Sequence, residues 1–204
     1  MELTCCVSKG NIKLDQTRNL SLPPTFTCSD LPCYRQGCYA LKAYRRYPSV
    51  REGWWKNLTH YVNNPDGFFK MVTEKLQRAK KNTNFFRWHT GGEITDQKYL
   101  NGMFEVARNI PKTHFLVFTK KYFLDFSQCP ENLEIIPSSW PGVKIPHKKL
   151  RDQGLSIAWM QDGKDNRRIR ENKRNSFECP GDCSRCRVCW FASRNGRDII
   201  FKKH

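Results

Sequence analysis

The stretch NFFRWHTGGEITDQKYLNGMFEVARNIPKTHFLVF, residues 84–118, decides the fold of this chain. Asn84 to His89 reads as a strand that ends in a turn at Gly91-Gly92-Glu93. Thr95 or Asp96 then caps a helix, because Tyr99, Leu100, Met103, Phe104 and Ala107 recur at helical spacing and make one apolar stripe. Pro111 stops it. Thr113 to Phe118 follows as a nearly continuous apolar run, the kind buried on both faces of a parallel sheet. Strand, helix, strand at this spacing is one unit of a parallel α/β fold with right-handed crossovers.

The pattern extends both ways. Upstream, Asp66 is the expected cap of a helix to about Lys80, with Phe69, Val72, Leu76 and Ala79 on one face. Leu41 to Tyr47 and Ser49 to Val62 read as helices interrupted by Pro48. Residues 1–27 read as an irregular entry whose end, Thr25-Phe26-Thr27, is extended because Pro23-Pro24 blocks helix. Downstream come a short basic and aromatic helix, Lys120 to Phe126, and strands at Leu133 to Ile136 and Leu155 to Trp159. The expected class is α/β, an incomplete parallel (β/α) barrel or open parallel sheet of five candidate strands. Residues 1–165 form the barrel-like part, and 166–204 a basic, cysteine-rich, irregular segment packed on the same domain. That segment has too little apolar sequence to build a core of its own. Functional groups in parallel sheets gather at the carboxyl ends of the strands. The loop holding Cys28, the Gly91-Gly92-Glu93 turn and the Ser138-Ser139 loop would then share one face.

Seven of the ten cysteines fall in two tight groups: Cys28, Cys33 and Cys38, and then Cys179, Cys183, Cys186 and Cys189. Thiolates two to four residues apart can turn inward on one loop and share a metal. Disulfides are the alternative, but a basic chain without a secretory pattern at Met1 to Cys6 is expected in a reducing cytosol. The expected location is the cytoplasm. No run is long and apolar enough to cross a membrane. Four thiolates close a coordination sphere, as in a structural or electron-transferring [4Fe-4S] cluster, with zinc the alternative metal. Three thiolates leave one iron of a cluster open to a small ligand. The cysteine groups could hold one cluster or two, or meet at a shared site. Cys5, Cys6 and Cys129 have no partner at ligand spacing, although Cys5 or Cys6 could complete a site in space.

An aromatic directly after Cys38, and a Gly-Gly-Glu at the end of the second strand, resemble the radical S-adenosylmethionine superfamily. That resemblance implies that Cys28, Cys33 and Cys38 hold a [4Fe-4S] cluster. It also implies that Gly91, Gly92 and Glu93 line S-adenosylmethionine, with Glu93 toward its amino group. The usual loop of that superfamily has three and then two residues between cysteines; here both gaps are four. The segments 33–40, 86–93 and 115–120, with the closing Cys-Pro and Cys-x2-Cys-x2-Cys-Trp pattern, resemble a narrower group, the phage gene 88 protein family. That likeness runs from about Thr27 to the end and carries little about function.

The charge concerns partners. Lys and Arg number 36 against 19 Asp and Glu, a net charge of +17. Basic residues crowd into Lys42 to Lys56, Lys70 to Lys81, His147 to Arg151 and most densely Lys164 to Arg174. Such a field attracts polyanions. Arg167, Arg168, Arg170, Lys173 and Arg174, leading into the second cysteine loop, are the candidate nucleic-acid contacts, since guanidinium forks pair with phosphate oxygens. Lys173, Arg174, Arg185, Arg187 and Arg194 would offset the charge of an anionic cluster or hold a phosphate backbone beside it. Trp54-Trp55 beside Arg51 and Lys56 is core or a base-stacking platform. His89 either touches a cofactor or is a core histidine. Two function classes stay open: a radical S-adenosylmethionine-like enzyme acting on nucleic acid or nucleotides, and a non-catalytic iron–sulfur or zinc protein that binds nucleic acid.

Overall fold

Seven strands lie side by side, and every pairing between them is parallel. They are β1 (Arg18–Leu20), β2 (Phe85–Trp88), β3 (His114–Thr119), β4 (Leu133–Ser139), β5 (Ala158–Met160), β6 (Ser176–Glu178) and β7 (Asp198–Phe201), in the order β1-β2-β3-β4-β5-β7-β6. The structure is a computed structural model, and it describes residues 5–10, 13–14, 16–35, 37–81, 83–141, 143–161 and 175–201. Among these residues no ladder joins the edge strands β1 and β6, so the sheet is open. The gap is spanned instead by the cysteine-rich segment. The Cys183 amide donates to the Lys13 carbonyl (2.9 Å), and the Arg187 guanidinium donates to Thr17 Oγ1 (2.6 Å).

Alternation along the strands builds two cores. Phe86 and Trp88, Phe115 and Val117, Leu133 and Ile135, and Trp159 and Ile200 point to one face. There they meet helices α4 (Pro48–Asn63), α5 (Pro65–Gln77) and α6 (Gln97–Asn109) through Leu58, Tyr61, Phe68, Phe69, Val72, Leu76 and the whole expected stripe of α6. Each such aromatic or aliphatic side chain contributes about 1.5–3 kcal/mol on burial. Leu116, Ile136, Ala158 and Ile199 point to the opposite face. Their cover is the C-terminal segment itself: Trp190, Ala192, Val188, Phe191 and the thiols of Cys179, Cys183 and Cys189. The second cysteine group is therefore packed into the inner face of the sheet.

Local departures from the sequence reading have local causes. Thr25-Phe26-Thr27 is not extended but lies in α1 (Pro24–Thr27), because Pro24 sits at the first helical position, where its missing N–H costs nothing. The first strand is Arg18–Leu20, and α2 (Pro32–Arg35) and α3 (Tyr39–Arg46) follow. The cap of α5 is Asn64 rather than Asp66, since Pro65 takes the first helical position and Asn64 Oδ1 accepts from the Gly67 amide (2.9 Å). Asp96 caps α6 through the Tyr99 amide (2.8 Å). Residues 120–126 form turns, not a helix. The Lys120 and Lys121 amides are taken by Glu93 Oε2 (2.9 Å) and Thr119 Oγ1 (3.0 Å). Strand β4 continues beyond Ile136 through Pro137, where its partner changes from β3 to β5. Helix α7 (His147–Asp152) and strands β6 and β7 were not expected.

Candidate metal and cofactor site

The carboxyl ends of β1, β2 and β3 meet at one group of side chains. After β1, Ser21 Oγ accepts from the Thr90 and Gly91 amides (3.1 and 3.2 Å), and the Leu22 amide donates to the Gly91 carbonyl (3.0 Å). One turn of α1 later, Thr27 Oγ1 accepts from the Glu93 amide (3.0 Å) and lies 3.7 Å from Cys28 Sγ. The Gly-Gly-Glu turn and the first cysteine loop are thus laced together, as parallel topology requires of adjacent strand ends.

Both glycines are required by protein neighbours. A Cβ on Gly91 would stand 2.3 Å from the Trp54 ring, so Trp54 is core packing against this turn. Gly92 has φ +82°, and its Cβ would stand 2.5 Å from the Leu22 carbonyl oxygen. Trp54 can swing; a backbone carbonyl cannot. Gly92→Ala is expected to cost about 2–4 kcal/mol from overpacking plus left-handed strain, and more than Gly91→Ala. Urea denaturation of the two variants checks the order.

Glu93 is buried, and its carboxylate accepts from the Ile94 amide (2.8 Å), Thr119 Oγ1 (2.8 Å) and the Lys120 amide (2.9 Å). Burial raises its pKa, and Lys120 with these donors opposes the rise. Oε2 carries one of the three bonds and retains accepting capacity. Burial pushes the Cys28 thiol up to about 12, and the Glu93 charge adds to it. The Cys33 thiol is raised by burial, against the nearby Lys120 ammonium. Cys28, Cys33 and Cys38 lie close enough to act on one another electrostatically.

The second group is held by backbone. The Cys179 amide donates to the Ile200 carbonyl (2.8 Å), and α8 (Cys183–Cys186) is capped by Asp182, which accepts from the Ser184 amide (3.0 Å). Burial pushes Cys189 up to about 12, and Cys179, Cys183 and Cys186 add to it. All ten cysteines are free thiols. Among the described residues no three His, Cys, Asp or Glu are gathered at the spacing of a single metal ion. A four-iron cluster does not ask for that spacing, because each thiolate binds a different iron. A metal deprotonates the thiols that bind it, and nearby cations offset the negative charge that the ligated site then carries. The donor chemistry and the nearby cations fit such a cluster at both groups.

One of these cations is Arg87, which sequence reasoning missed. It lies on the inner face of β2, with its guanidinium 4.2 Å from the Phe118 ring centroid and its Nε donating to the Trp88 carbonyl (3.0 Å). Burial lowers its pKa, while Tyr39, Cys183, Cys189 and Cys179 stabilise its charge. Tyr39 is within the same electrostatic reach of Cys38 and Cys28. Arg87 therefore faces the second cysteine group and, through Tyr39, the first. The only sequence signal was an arginine at an inward position of an otherwise aromatic strand. Of the other residues expected to offset the cluster, Lys173 and Arg174 lie outside the described residues, and the remaining three have contacts of their own. Arg185 pairs with Asp182 (3.6 Å), Arg194 donates to the Glu131 carbonyl (2.8 Å), and Arg187 lies on the rings of Phe85 and Trp190.

The remaining candidates divide. Cys5 and Cys6 pack against α4 and α5, where Asn57 and Met71 bind their amides, and Cys129 hydrogen-bonds the Leu133 carbonyl (3.2 Å). His89 is a core histidine between Trp88 and Tyr99. Ser138 and Ser139 end β4, where the Tyr122 hydroxyl donates to the Ser138 carbonyl. Arg167, Arg168, Arg170, Lys173 and Arg174 lie outside the described residues. Among the described residues no helix is long and apolar enough to cross a membrane.

The sequence model of the gene product 88 family matches residues 6–192. The chain belongs to that family. No curated protein and no solved structure matches it. The matched region covers β1 to β6 and both cysteine groups, so the laced turn and the C-terminal thiols all lie within it.

Proposed function

We propose that the chain is an iron–sulfur protein of the radical S-adenosylmethionine type that acts on nucleic acid or nucleotides. The observation that carries this reading is the junction at Thr27, which ties Glu93 to the Cys28 loop at the ends of β1 and β2. Cys28, Cys33 and Cys38 would hold one [4Fe-4S] cluster, and Cys179, Cys183, Cys186 and Cys189 a second. When bound, a cluster of the first kind supplies an electron to the sulfonium cofactor. Glu93 offers the spare lone pairs of Oε2 to an ammonium group, beside Gly91 and Gly92. Lys120 and Arg87 offset the thiolate charge, and Trp190 with Phe85 keeps water from the second group. The excess of 36 basic over 19 acidic residues supports a polyanionic substrate.

Anaerobic purification with iron and sulfide analysis tests the metal: about eight irons per chain are expected for two clusters, or about four for one. Colourless protein with stoichiometric zinc would refute it. Release of 5′-deoxyadenosine from S-adenosylmethionine by the reduced protein tests the activity. A second reading, a non-catalytic metal protein that binds nucleic acid, is favoured by the structural duties of the turn. Trp54 and the Leu22 carbonyl occupy the flanks of the two glycines, and Glu93 already holds three protein donors. Intact clusters with no binding of S-adenosylmethionine would select this second reading.

A further inference from the structure

Six large apolar side chains are exposed among the described residues, and five are aromatic: Phe26, Tyr39, Tyr47, Trp55 and Phe123. Four of these five sit on or beside α1, α3 and α4, the helices that flank the first cysteine loop. Phe26 is 60% exposed and meets Trp55 edge to face, with ring centroids 6.2 Å apart. Trp55 is fixed in turn, since its indole N–H donates to the Tyr44 hydroxyl (2.6 Å) and Tyr44 stacks on Trp54. Tyr39 is 56% exposed, yet its hydroxyl reaches in to the Thr90 carbonyl (2.6 Å). The rings are therefore anchored where the chain enters the Gly-Gly-Glu turn: Trp54 packs on Gly91 and Tyr39 bonds to Thr90.

Cations fill the spaces between them. Lys42, Arg45, Arg46, Arg51 and Lys56 are all exposed on α3 and α4, against a single acid, Glu52, which pairs with Lys56 (2.6 Å). The Arg46 guanidinium lies 5.5 Å from the Tyr47 ring centroid. A protein partner would select an apolar centre depleted in lysine and charge. Exposed rings separated by cations match instead a strand in which unpaired bases alternate with phosphates, because every base has a face to stack and every phosphate a charge to pair.

We infer that the α1, α3 and α4 surface is a stacking platform for single-stranded nucleic acid, laid beside the mouth of the cysteine site. The inference rests on the nucleic-acid half of the proposed function and is independent of cofactor cleavage. It is a different surface from the basic run at 164–174.

Fluorescence anisotropy with a labelled oligo-dT and with a duplex, over a series of salt concentrations, tests it on the full chain. The single strand is expected to bind more tightly than the duplex. Phe26→Ala, Tyr47→Ala and Trp55→Ala should each weaken it about tenfold or more with an unchanged salt slope. Arg45→Gln with Arg46→Gln should lower the slope by about one to one and a half. The Phe26, Tyr47 and double-arginine variants change side chains that are largely in water, so their melting temperatures should match the parent, which separates lost contact from lost fold. Trp55 is 38% exposed and bonds Tyr44, so Trp55→Ala is assayed below its own melting temperature. Ring variants that bind like the parent overturn the platform but leave a nucleic-acid-binding protein. A parent that binds neither strand nor duplex, or that binds anionic vesicles instead, overturns both.

Discussion

Asp198→Ala should lower the melting temperature by about 10 °C, a loss of roughly 3–5 kcal/mol. Asp198 opens β7, is 4% exposed, and is the acceptor for four donors. Arg151 Nη1 (2.7 Å), the Ile157 amide (2.8 Å) and the Trp159 indole (2.7 Å) donate to it, together with Arg151 Nη2. Arg151 is partly in water, so the ion pair itself contributes modestly. The larger share comes from the Ile157 and Trp159 N–H groups, which alanine would strand in the core. Asp198→Asn keeps an acceptor and should lose about half as much. Asp152→Ala is the contrast: its bond to Lys148 is exposed on α7 and is worth about 0.5 kcal/mol or less. Thermal melts followed by circular dichroism check all three. The loss should reach the second cysteine group as well, because β7 holds Cys179 through the Ile200 carbonyl.

Asp198 also shows what the sequence hid. The elements legible beforehand were those whose composition decides them alone. Thr113 to Phe118 was apolar enough to be a buried strand, and Tyr99 to Ala107 kept one stripe over two turns, so β3 and α6 lie where expected. The convergence of the Cys28 loop with Gly91-Gly92-Glu93 was legible too, because parallel order alone puts successive strand ends on one side. Strands β6 and β7 were not, since Ser176-Phe177-Glu178 and Asp198-Ile199-Ile200-Phe201 owe their state to neighbours already in the sheet. Arg87 was missed for the same reason. Its meaning comes from thiols more than ninety residues away, and nothing in the local pattern of β2 announces them. Phe26 read as extended beside its prolines, although Pro24 starts a helix that leaves the ring in water.

Acid should destabilise the protein through His89 by about 3 kcal/mol between pH 7.5 and 4.5, and His89→Asn should remove that sensitivity. The imidazole is 4% exposed, sits among Trp88 and Tyr99, and has a hydrogen-bond partner at neither nitrogen. Burial, with the Arg87 charge adding to it, lowers its pKa to about 3. The unfolded chain takes up the same proton near pH 6.5. Between those values the unfolded state holds a proton that the folded state refuses. Stability is then complete above about pH 6.5 and falls by about 1.4 kcal/mol for each unit below it, until the folded histidine itself titrates near 3. Buried Glu93 and Glu134 act in the opposite sense, since their raised pKa values favour the folded state in acid. They are common to parent and variant, so the difference between the two isolates the histidine. Asparagine suits the test because residue 89 has φ +54°, a left-handed conformation that asparagine adopts more readily than most residues. Urea denaturation of both proteins in the same metal state, at pH 7.5 and 4.5, gives the comparison. Equal losses on acidification would mean that the folded protein admits the proton, and that the ring has access to water or to an acceptor at the end of β2.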